Sequence, residues 1–164
     1  MIYGNTSGPF YNESMPHFRA KMRIATLLDS KGWDVWVDDM KGFAVLALTK
    51  LCGYDYIPRE YRFDIYAEKF ANSWEQVDRN SWRVKDPIIQ KVIVEIDFKG
   101  HLTKWSKHKG DIRDNVWKEK KKIATVRFPL KDLVGKKKLD DETVLKEIDF
   151  CVATLINEVT ESSA

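Results

Sequence analysis

Hydrophobic and polar residues follow two different periods along this chain, and the change between them predicts both helices and strands. Apolar residues recur every three to four positions in three segments, which is typical of amphipathic helices. They alternate with polar residues in four other segments, which is typical of strands. The predicted elements are, in chain order, a helix at 16–30, strands at 33–37, 61–70 and 90–98, a helix at 110–122, a strand at 123–129 and a helix at 140–158.

Local signals support the first and last helices. Ser14 is a suitable N-cap, Pro16 falls in the first turn, and Gly32 supplies a C-terminal stop. The expected inner face of the first helix consists of apolar residues, namely Phe18, Met22, Ile24, Ala25, Leu27 and Leu28. The last helix has an apolar stripe at helical spacing, made of Val144, Ile148, Cys151, Val152, Leu155 and Val159.

Two segments give weaker signals. Segment 41–53 fits a buried strand or a short helix, and we prefer the strand. Segment 71–87 is polar and rich in turn-forming residues, so we expect a loop or a short irregular helix there. Residues 1–13 and 160–164 are expected to be flexible.

The order of elements predicts one α/β domain, at 1–164, in which helices flank a mixed central sheet. The helix at 110–122 is long enough to connect the strands on either side of it as a parallel pair. A chain of 164 residues, 43% hydrophobic and 32% charged, is typical of one soluble globular domain.

Composition also bears on where the protein acts. The longest apolar run, at 43–48, is far too short to span a bilayer, and the polar N-terminus lacks the features of a signal peptide. We therefore expect a cytoplasmic protein that does not enter membranes. Cys52 and Cys151 are far apart and match no zinc-site spacing, which indicates reduced thiols in the core.

Charge is distributed unevenly along the chain. The net charge is only +3, but the basic residues of 99–138 greatly outnumber its acidic residues. One flank of the molecule is therefore expected to be basic, and together with six Trp and six Tyr residues this is compatible with binding to nucleic acid.

Acidic residues stand at polar positions of two predicted strands. Asp64 and Glu95 each lie on a strand whose other face is apolar. If the strands are neighbours, the two carboxylates converge, which is costly without a positive charge between them. Mg²⁺ suits such oxygen ligands, with Mn²⁺ as an alternative. A metal held there polarises a phosphodiester and lowers the pKa of a bound water, and His101 is placed to act as general base or acid.

Four segments carry a family resemblance: "YRFDIYAEK", "VIVEIDFKGH", "GDIRDN" and "IATVRF". Their order and spacing over 62–128 resemble the PD-(D/E)XK nuclease superfamily, in particular the branch that contains the very-short-patch repair endonuclease. The resemblance implies a restriction-endonuclease-like three-layer core, with a central mixed sheet flanked by helices. It also implies a metal-dependent endonuclease that hydrolyses DNA.

The resemblance assigns roles to the acidic residues and histidines. It implies that Asp64 and Glu95 are the metal-binding acids and that Asp97 stands where many members carry a catalytic Lys. His101 matches the His of the branch. His17 stands on the first helix where many members have a Glu, and it joins the candidate catalytic residues.

The helix after His101 matches the family's "D-x-x-R" segment. There the resemblance implies that Asp111 or Asp114 supports the histidine and that Arg113 contacts phosphate. The candidate DNA-binding residues are basic or aromatic and are Lys99, Trp105, Lys107, Lys109, Arg113 and Lys118.

Two other functions stay open. A Holliday-junction-resolvase-type nuclease would use the same chemistry, and a homodimer would be compatible with that role. A nuclease-fold module that binds nucleic acid without cleaving it is the second alternative, because the usual Lys is replaced by Asp97 and the usual helix Glu by His17.

Overall fold

The computed structural model describes residues 1–10, 13–38, 63–70, 74–84, 89–97 and 123–163. The helices and longer strands of these residues are, in chain order, β1 (Ile2–Gly4), α1 (Met15–Ser30), β2 (Asp34–Val37), β3 (Ile65–Phe70), β4 (Trp74–Asp78), β5 (Ser81–Val84), β6 (Ile89–Asp97), β7 (Ala124–Pro129) and α2 (Asp141–Ser163). A short 3₁₀ helix, Leu130–Asp132, follows β7 directly.

Among the described residues, five strands form a mixed sheet in the order β1-β2-β3-β6-β7. β2, β3 and β6 pair antiparallel, whereas β1 runs parallel to β2 and β7 parallel to β6. The predicted parallel pairing of the strands at 90–98 and 123–129 is therefore confirmed. The helix predicted between them, at 110–122, lies outside the described residues.

The directions of the strands bring several strand ends to the same end of the sheet. β2 and β6 end there, and β3 begins there, because Val37 pairs with Ile65 and Ile65 pairs with Val94. The polar residues at these ends are Asp38, Asp64, Glu95 and Asp97. We call this end of the sheet, where the strand ends meet, the acidic edge.

Both helices pack on the same face of the sheet. Alternate residues of the strands point towards them, as a period of two requires. The buried side chains of this core include Val35, Val37, Ile65, Ala67, Val92, Val94, Ile96, Ala124, Val126, Phe128, Ile24, Leu28, Val144 and Ile148. Burying each large aliphatic side chain stabilises the fold by roughly 1.5–3 kcal/mol, so this core fixes the position of α1 relative to the acidic edge.

The inner face of α1 differs in part from the prediction. Ile24, Ala25 and Leu28 are buried as expected, but Phe18 is only partly buried. The fully buried set also includes Lys21, which the hydrophobic pattern placed outside. The buried face of α1 thus includes polar residues that the hydrophobic pattern left outside. His17 and Lys21 face inwards because they have partners at the acidic edge.

Segment 71–87 was wrongly predicted as a loop or irregular helix. It contains the hairpin of β4 and β5, in which Trp74 pairs with Val84 and Gln76 with Trp82. The turn is closed by Asp78, whose Oδ1 accepts a hydrogen bond from the N–H of Asn80 at 3.0 Å. The side chains of residues 76–83 are exposed, so this part of the hairpin shows no alternation of buried and polar positions that would mark a strand.

The chain ends also differ from expectation. The first residues were expected to be flexible, but β1 forms an edge strand beside β2. α2 extends to Ser163, five residues beyond the predicted end. Cys151 is a free thiol, as expected, but it is only partly buried against the core. Cys52 and segment 41–53 lie outside the described residues. Neither described helix is long and apolar enough to cross a bilayer.

Candidate active site at the acidic edge

Two carboxyl groups meet at the acidic edge, one from β6 and one from the residue just before β3. β3 and β6 are antiparallel, and Ile65 pairs with Val94. Asp64, which precedes Ile65, therefore lies opposite Glu95, which follows Val94. Their side chains are hydrogen-bonded to each other, and Glu95 is buried. Two ionised carboxylates in contact repel, so this contact requires a proton or a cation between them.

The surroundings of Asp64 favour its protonated form. Burial raises the pKa of the Asp64 carboxyl from 3.8 to about 6, against the hydrogen bonds from the Ile96 N–H and Glu95 and the charge of Lys21. The negative charge of Asp38 adds to the rise. The Asp64 side chain keeps 20% of its surface exposed, so it is not fully enclosed by the protein.

The backbone of Ile96 connects this pair to α1. Its N–H donates to Oδ2 of Asp64 at 2.8 Å. Its carbonyl oxygen lies 3.0 Å from Nε2 of His17, and because a carbonyl only accepts, the ring nitrogen donates. The same Nε2 is 3.7 Å from Oδ2 of Asp64. His17, one of the candidate catalytic residues, therefore lies next to Asp64.

The start of α1 explains how His17 reaches the sheet. Ser14 is the N-cap, and its hydroxyl accepts a hydrogen bond from the backbone N–H of His17 at 3.3 Å. Pro16 fits the first turn, where the missing N–H has no helical partner to lose. These local signals place the imidazole in the first turn, on the side of the helix that faces β6.

A second layer of charges lies behind His17. Oε2 of Glu13 is 2.6 Å from Nδ1 of His17 and 2.6 Å from Nζ of Lys21. The ammonium of Lys21 also lies 2.6 Å from both oxygens of Asp38. Burial acts to raise the pKa of Glu13, but hydrogen bonds from Lys21, the Phe10 N–H and His17 outweigh it and lower that pKa.

Asp38 joins this layer to the sheet. Its backbone adopts a positive φ of 53°, which Asp tolerates better than most residues. Its N–H donates to the carbonyl oxygen of Asp64 at 3.3 Å, and its Oδ2 accepts a hydrogen bond from Asn5 at 3.3 Å. The strained residue is thus held from both sides at the point where β2 leaves the acidic edge.

Asp97 has a partner on the neighbouring strand. It lies on the same face of the sheet as Glu95, two residues further along β6, and its Oδ1 accepts a hydrogen bond from Nη1 of Arg127 at 3.2 Å. Where the resemblance expects an ammonium, the structure has a guanidinium–carboxylate pair. A positive charge is therefore still present on this face of the sheet.

The donor set can be compared with the needs of a metal ion. Across residues 1–10, 13–38, 63–70, 74–84, 89–97 and 123–163, no group of three or more His, Cys, Asp or Glu residues is arranged to hold one. Mg²⁺ requires only one or two carboxylates and keeps several waters. The hydrogen-bonded pair of Asp64 and Glu95 meets that requirement.

The structure thus places two predicted site residues, Glu95 and His17, each next to a third, Asp64. Asp97 is two residues beyond Glu95 on β6 and pairs with Arg127. The other predicted site residues lie outside the described part of the chain and are Lys99, His101, Trp105, Lys107, Lys109, Arg113 and Lys118.

Sequence reasoning missed Lys21 and Asp38 as members of the site. One signal was present: His17, Lys21, Ile24 and Leu28 follow the spacing i, i+4, i+7, i+11, so two polar residues continue an apolar stripe. A polar residue on such a stripe indicates a partner in the interior.

No protein-family model, no curated protein and no solved structure matches this chain.

Proposed function

We propose that the protein is a metal-dependent endonuclease that hydrolyses phosphodiester bonds in DNA, on a restriction-endonuclease-like three-layer core. The observation that carries this proposal is the contact between the carboxyl groups of Asp64 and Glu95 at one edge of a mixed sheet. Two acids from adjacent strands, one of them with a raised pKa, are typical of a functional site.

Asp64 and Glu95 would hold one Mg²⁺ or Mn²⁺ through their carboxylate oxygens. When bound, the ion supplies Lewis-acid polarisation of the scissile phosphate and lowers the pKa of a water. The chain's own residues hold these acids: the Ile96 N–H keeps Oδ2 of Asp64 in place. Nε2 of His17, which donates to the Ile96 carbonyl oxygen, lies 3.7 Å from the same Oδ2.

His101 and Arg113 keep the roles that the resemblance implies, as general base or acid and as a phosphate contact. Both roles remain predictions, because these residues lie outside the described part of the chain.

Exposed lysines after β7 support DNA as the substrate. They follow the end of β7, at the same edge of the sheet as Asp97, whose register partner is Pro129. We call them the lysine loop, and they are Lys131, Lys136, Lys137 and Lys138. Arg23 holds the loop by donating to the carbonyl oxygens of Leu133 at 3.1 Å and Leu139 at 2.6 Å. Exposed ammonium groups beside an acidic site attract a phosphate backbone that the acids alone would repel.

The test is cleavage of supercoiled plasmid, mismatched duplex, flap and four-way junction in the presence of Mg²⁺ or Mn²⁺. We expect the parent to cleave and Asp64→Asn and Glu95→Gln each to lose at least about 100-fold in rate. Asp34→Asn is the matched control, because Asp34 begins β2 at the opposite end from Asp38. Cleavage that survives in both site variants would refute the proposal.

Binding of Mn²⁺, measured by calorimetry, separates the site from the reaction. The parent and Asp34→Asn should bind one ion, and both site variants should bind it at least about tenfold more weakly. A strong preference for four-way junctions by a stable dimer would identify the resolvase-type alternative.

A second candidate is a nuclease-fold module that binds DNA without cleaving it. The guanidinium–carboxylate pair of Arg127 and Asp97, at the position where the resemblance expects a Lys, favours it. This function predicts DNA binding with no cleavage of any substrate. Replacing three lysines, at 136–138, by Gln should then lower the slope of log K against log salt by up to about 0.9 for each phosphate that the protein no longer neutralises.

A further inference from the structure

Lys21 is a buried cation that the proposed reaction does not use directly. Its side chain is fully buried, and its ammonium contacts Glu13 and Asp38 at 2.6 Å each. Taking an ammonium out of water costs on the order of several kcal/mol, and apolar residues of similar size often stabilise a core equally well. Packing alone therefore does not account for a lysine at this position of α1.

The contact of Lys21 with Glu13 connects it to His17. Lys21 and His17 share the same oxygen, Oε2 of Glu13. The other oxygen of Glu13 accepts a hydrogen bond from the N–H of Phe10 at 3.1 Å, so the carboxylate is held on both sides. Glu13 fixes Nδ1 of His17, and this leaves Nε2 directed at the carbonyl oxygen of Ile96.

The contact of Lys21 with Asp38 connects it to Asp64. Both oxygens of Asp38 accept from Lys21, and the backbone N–H of Asp38 donates to the carbonyl oxygen of Asp64. Lys21 thus joins the helix that carries His17 to the strand ends that carry Asp64. The contacts through Glu13 and through Asp38 meet at the acidic edge, where Nε2 of His17 is 3.7 Å from Oδ2 of Asp64.

We propose that Lys21 is a positioning residue, which holds the His17 ring and the Asp64 carboxyl in a fixed relation through Glu13 and Asp38. This inference rests on the proposed nuclease function for its kinetic consequence only. The geometry of the His17 ring can be measured without metal or DNA. Loss of Lys21 is expected to lower kcat by roughly 10- to 100-fold, as for other residues that orient a site from behind, with little change in KM.

The experiment compares Lys21→Met and Lys21→Arg with Arg23→Met. Arg23 lies two residues from Lys21 on the same helix and is also mostly buried and hydrogen-bonded, but its partners are Leu133, Leu139 and Asp141. Arg23→Met therefore removes comparable hydrogen bonds from α1, but none to Glu13, His17 or Asp38. It controls for a general loss of stability in the ring-signal readout. Because Arg23 holds the lysine loop, its effect on DNA cleavage is expected in KM.

The first readout is the ¹⁵N spectrum of labelled histidine in the metal-free protein. The chain has three histidines, and His17→Gln assigns the signals of that ring. We expect slowly exchanging ring N–H signals for His17 in the parent and in Arg23→Met, and their loss or shift in Lys21→Met. The second readout is the split between kcat and KM for DNA cleavage.

Lys21→Arg keeps the charge and is expected to recover part of both readouts. If Lys21→Met fails to fold, Glu13→Leu takes its place, because leucine has no oxygen to accept from His17 or Lys21, while Lys21 and Asp38 remain paired. Unchanged ring signals in a folded Lys21→Met or Glu13→Leu protein would overturn the inference. Ring signals that respond to Lys21, in a parent that cleaves no DNA, would support the positioning role and refute the nuclease proposal.

Discussion

The two helices pack on the same face of the sheet but bury different kinds of residue. α2 buries aliphatic side chains, Val144, Ile148, Val152 and Leu155, in the order that its hydrophobic pattern predicts. α1 buries Ile24 and Leu28 in its second half, but in its first half it buries Lys21 and places His17 against β6.

The difference indicates a division of roles between the helices. α2 contributes packing, and nothing in its buried stripe requires a specific partner beyond shape. The first half of α1 depends on particular oxygen atoms at the acidic edge, so its position is specified by hydrogen bonds as well as by apolar contact. Where a helix departs from its amphipathic pattern, the departing residues identify the surface that it serves.

Lys21→Ala is expected to have the largest effect on stability. It leaves the carboxylates of Glu13 and Asp38 buried without their cation, which costs about 3–5 kcal/mol. Urea unfolding monitored by circular dichroism measures the loss. Replacing all three residues by uncharged ones, as Glu13→Leu, Lys21→Met and Asp38→Asn together, should recover much of the stability without restoring the ring signals of His17, because Asn also tolerates the positive φ at position 38. A loss below about 1 kcal/mol in Lys21→Ala would show that α1 is held by its apolar residues alone, as α2 is.

The pH dependence of stability should differ between the two helix regions. The raised pKa of Asp64, from 3.8 to about 6, means that the folded protein binds a proton more tightly than the unfolded chain. The stabilisation is complete below about pH 4 and is lost as the pH rises through 6, by no more than about 3 kcal/mol. Asp64→Asn should flatten this profile in thermal unfolding, and Mn²⁺ at pH 7 should stabilise the parent but not the variant.

The control for this profile lies on α2. Glu147 is exposed on that helix, and Glu147→Gln should keep the profile of the parent. A flat profile in the parent would mean that the carboxyl of Asp64 is not buried against Glu95 as described.

The mixed sheet and the pairing of Asp64 with Glu95 could be predicted from sequence because both depend on a period of two. The alternation in β6 identifies which residues share a face, and pairing of neighbouring strands then brings Asp64 to Glu95. The prediction required only that the two strands be adjacent. Their order along the chain favours that arrangement, since consecutive strands usually lie side by side.

The rest depended on tertiary contacts that leave weak traces in sequence. A lysine is normally expected outside, so the position of Lys21 could be inferred only from its spacing to His17 and Ile24. In the hairpin of β4 and β5, the side chains of residues 76–83 are exposed, so these residues form no buried stripe to detect. β1 is three residues long, and its pairing with β2 depends on how α1 crosses the sheet.

Ile148→Val tests whether the packing of α2 is independent of the acidic edge that α1 contacts. Ile148 is fully buried between α2 and the sheet, and loss of one methylene there costs about 0.5–1.5 kcal/mol. Because this cost arises from packing, the pH profile, Mn²⁺ affinity and His17 ring signals should all stay as in the parent. A change in any of these would show that α2 is coupled to the acidic edge.

Phe150→Gln should have the smallest effect. Phe150 lies on α2 with 68% of its surface exposed, so its removal sacrifices little buried area. We expect a change in unfolding free energy within about 0.5 kcal/mol, which is usual for surface substitutions. A loss larger than about 1 kcal/mol would mean that this side of α2 is covered when the protein is in solution. Dilution over a roughly hundredfold range of concentration distinguishes the sources: a loss that depends on concentration indicates a second copy packed on α2, and one that does not indicates contact with another part of the same chain. In either case α2 would no longer be a helix that contributes packing on one side only, and its contrast with α1 would be weaker.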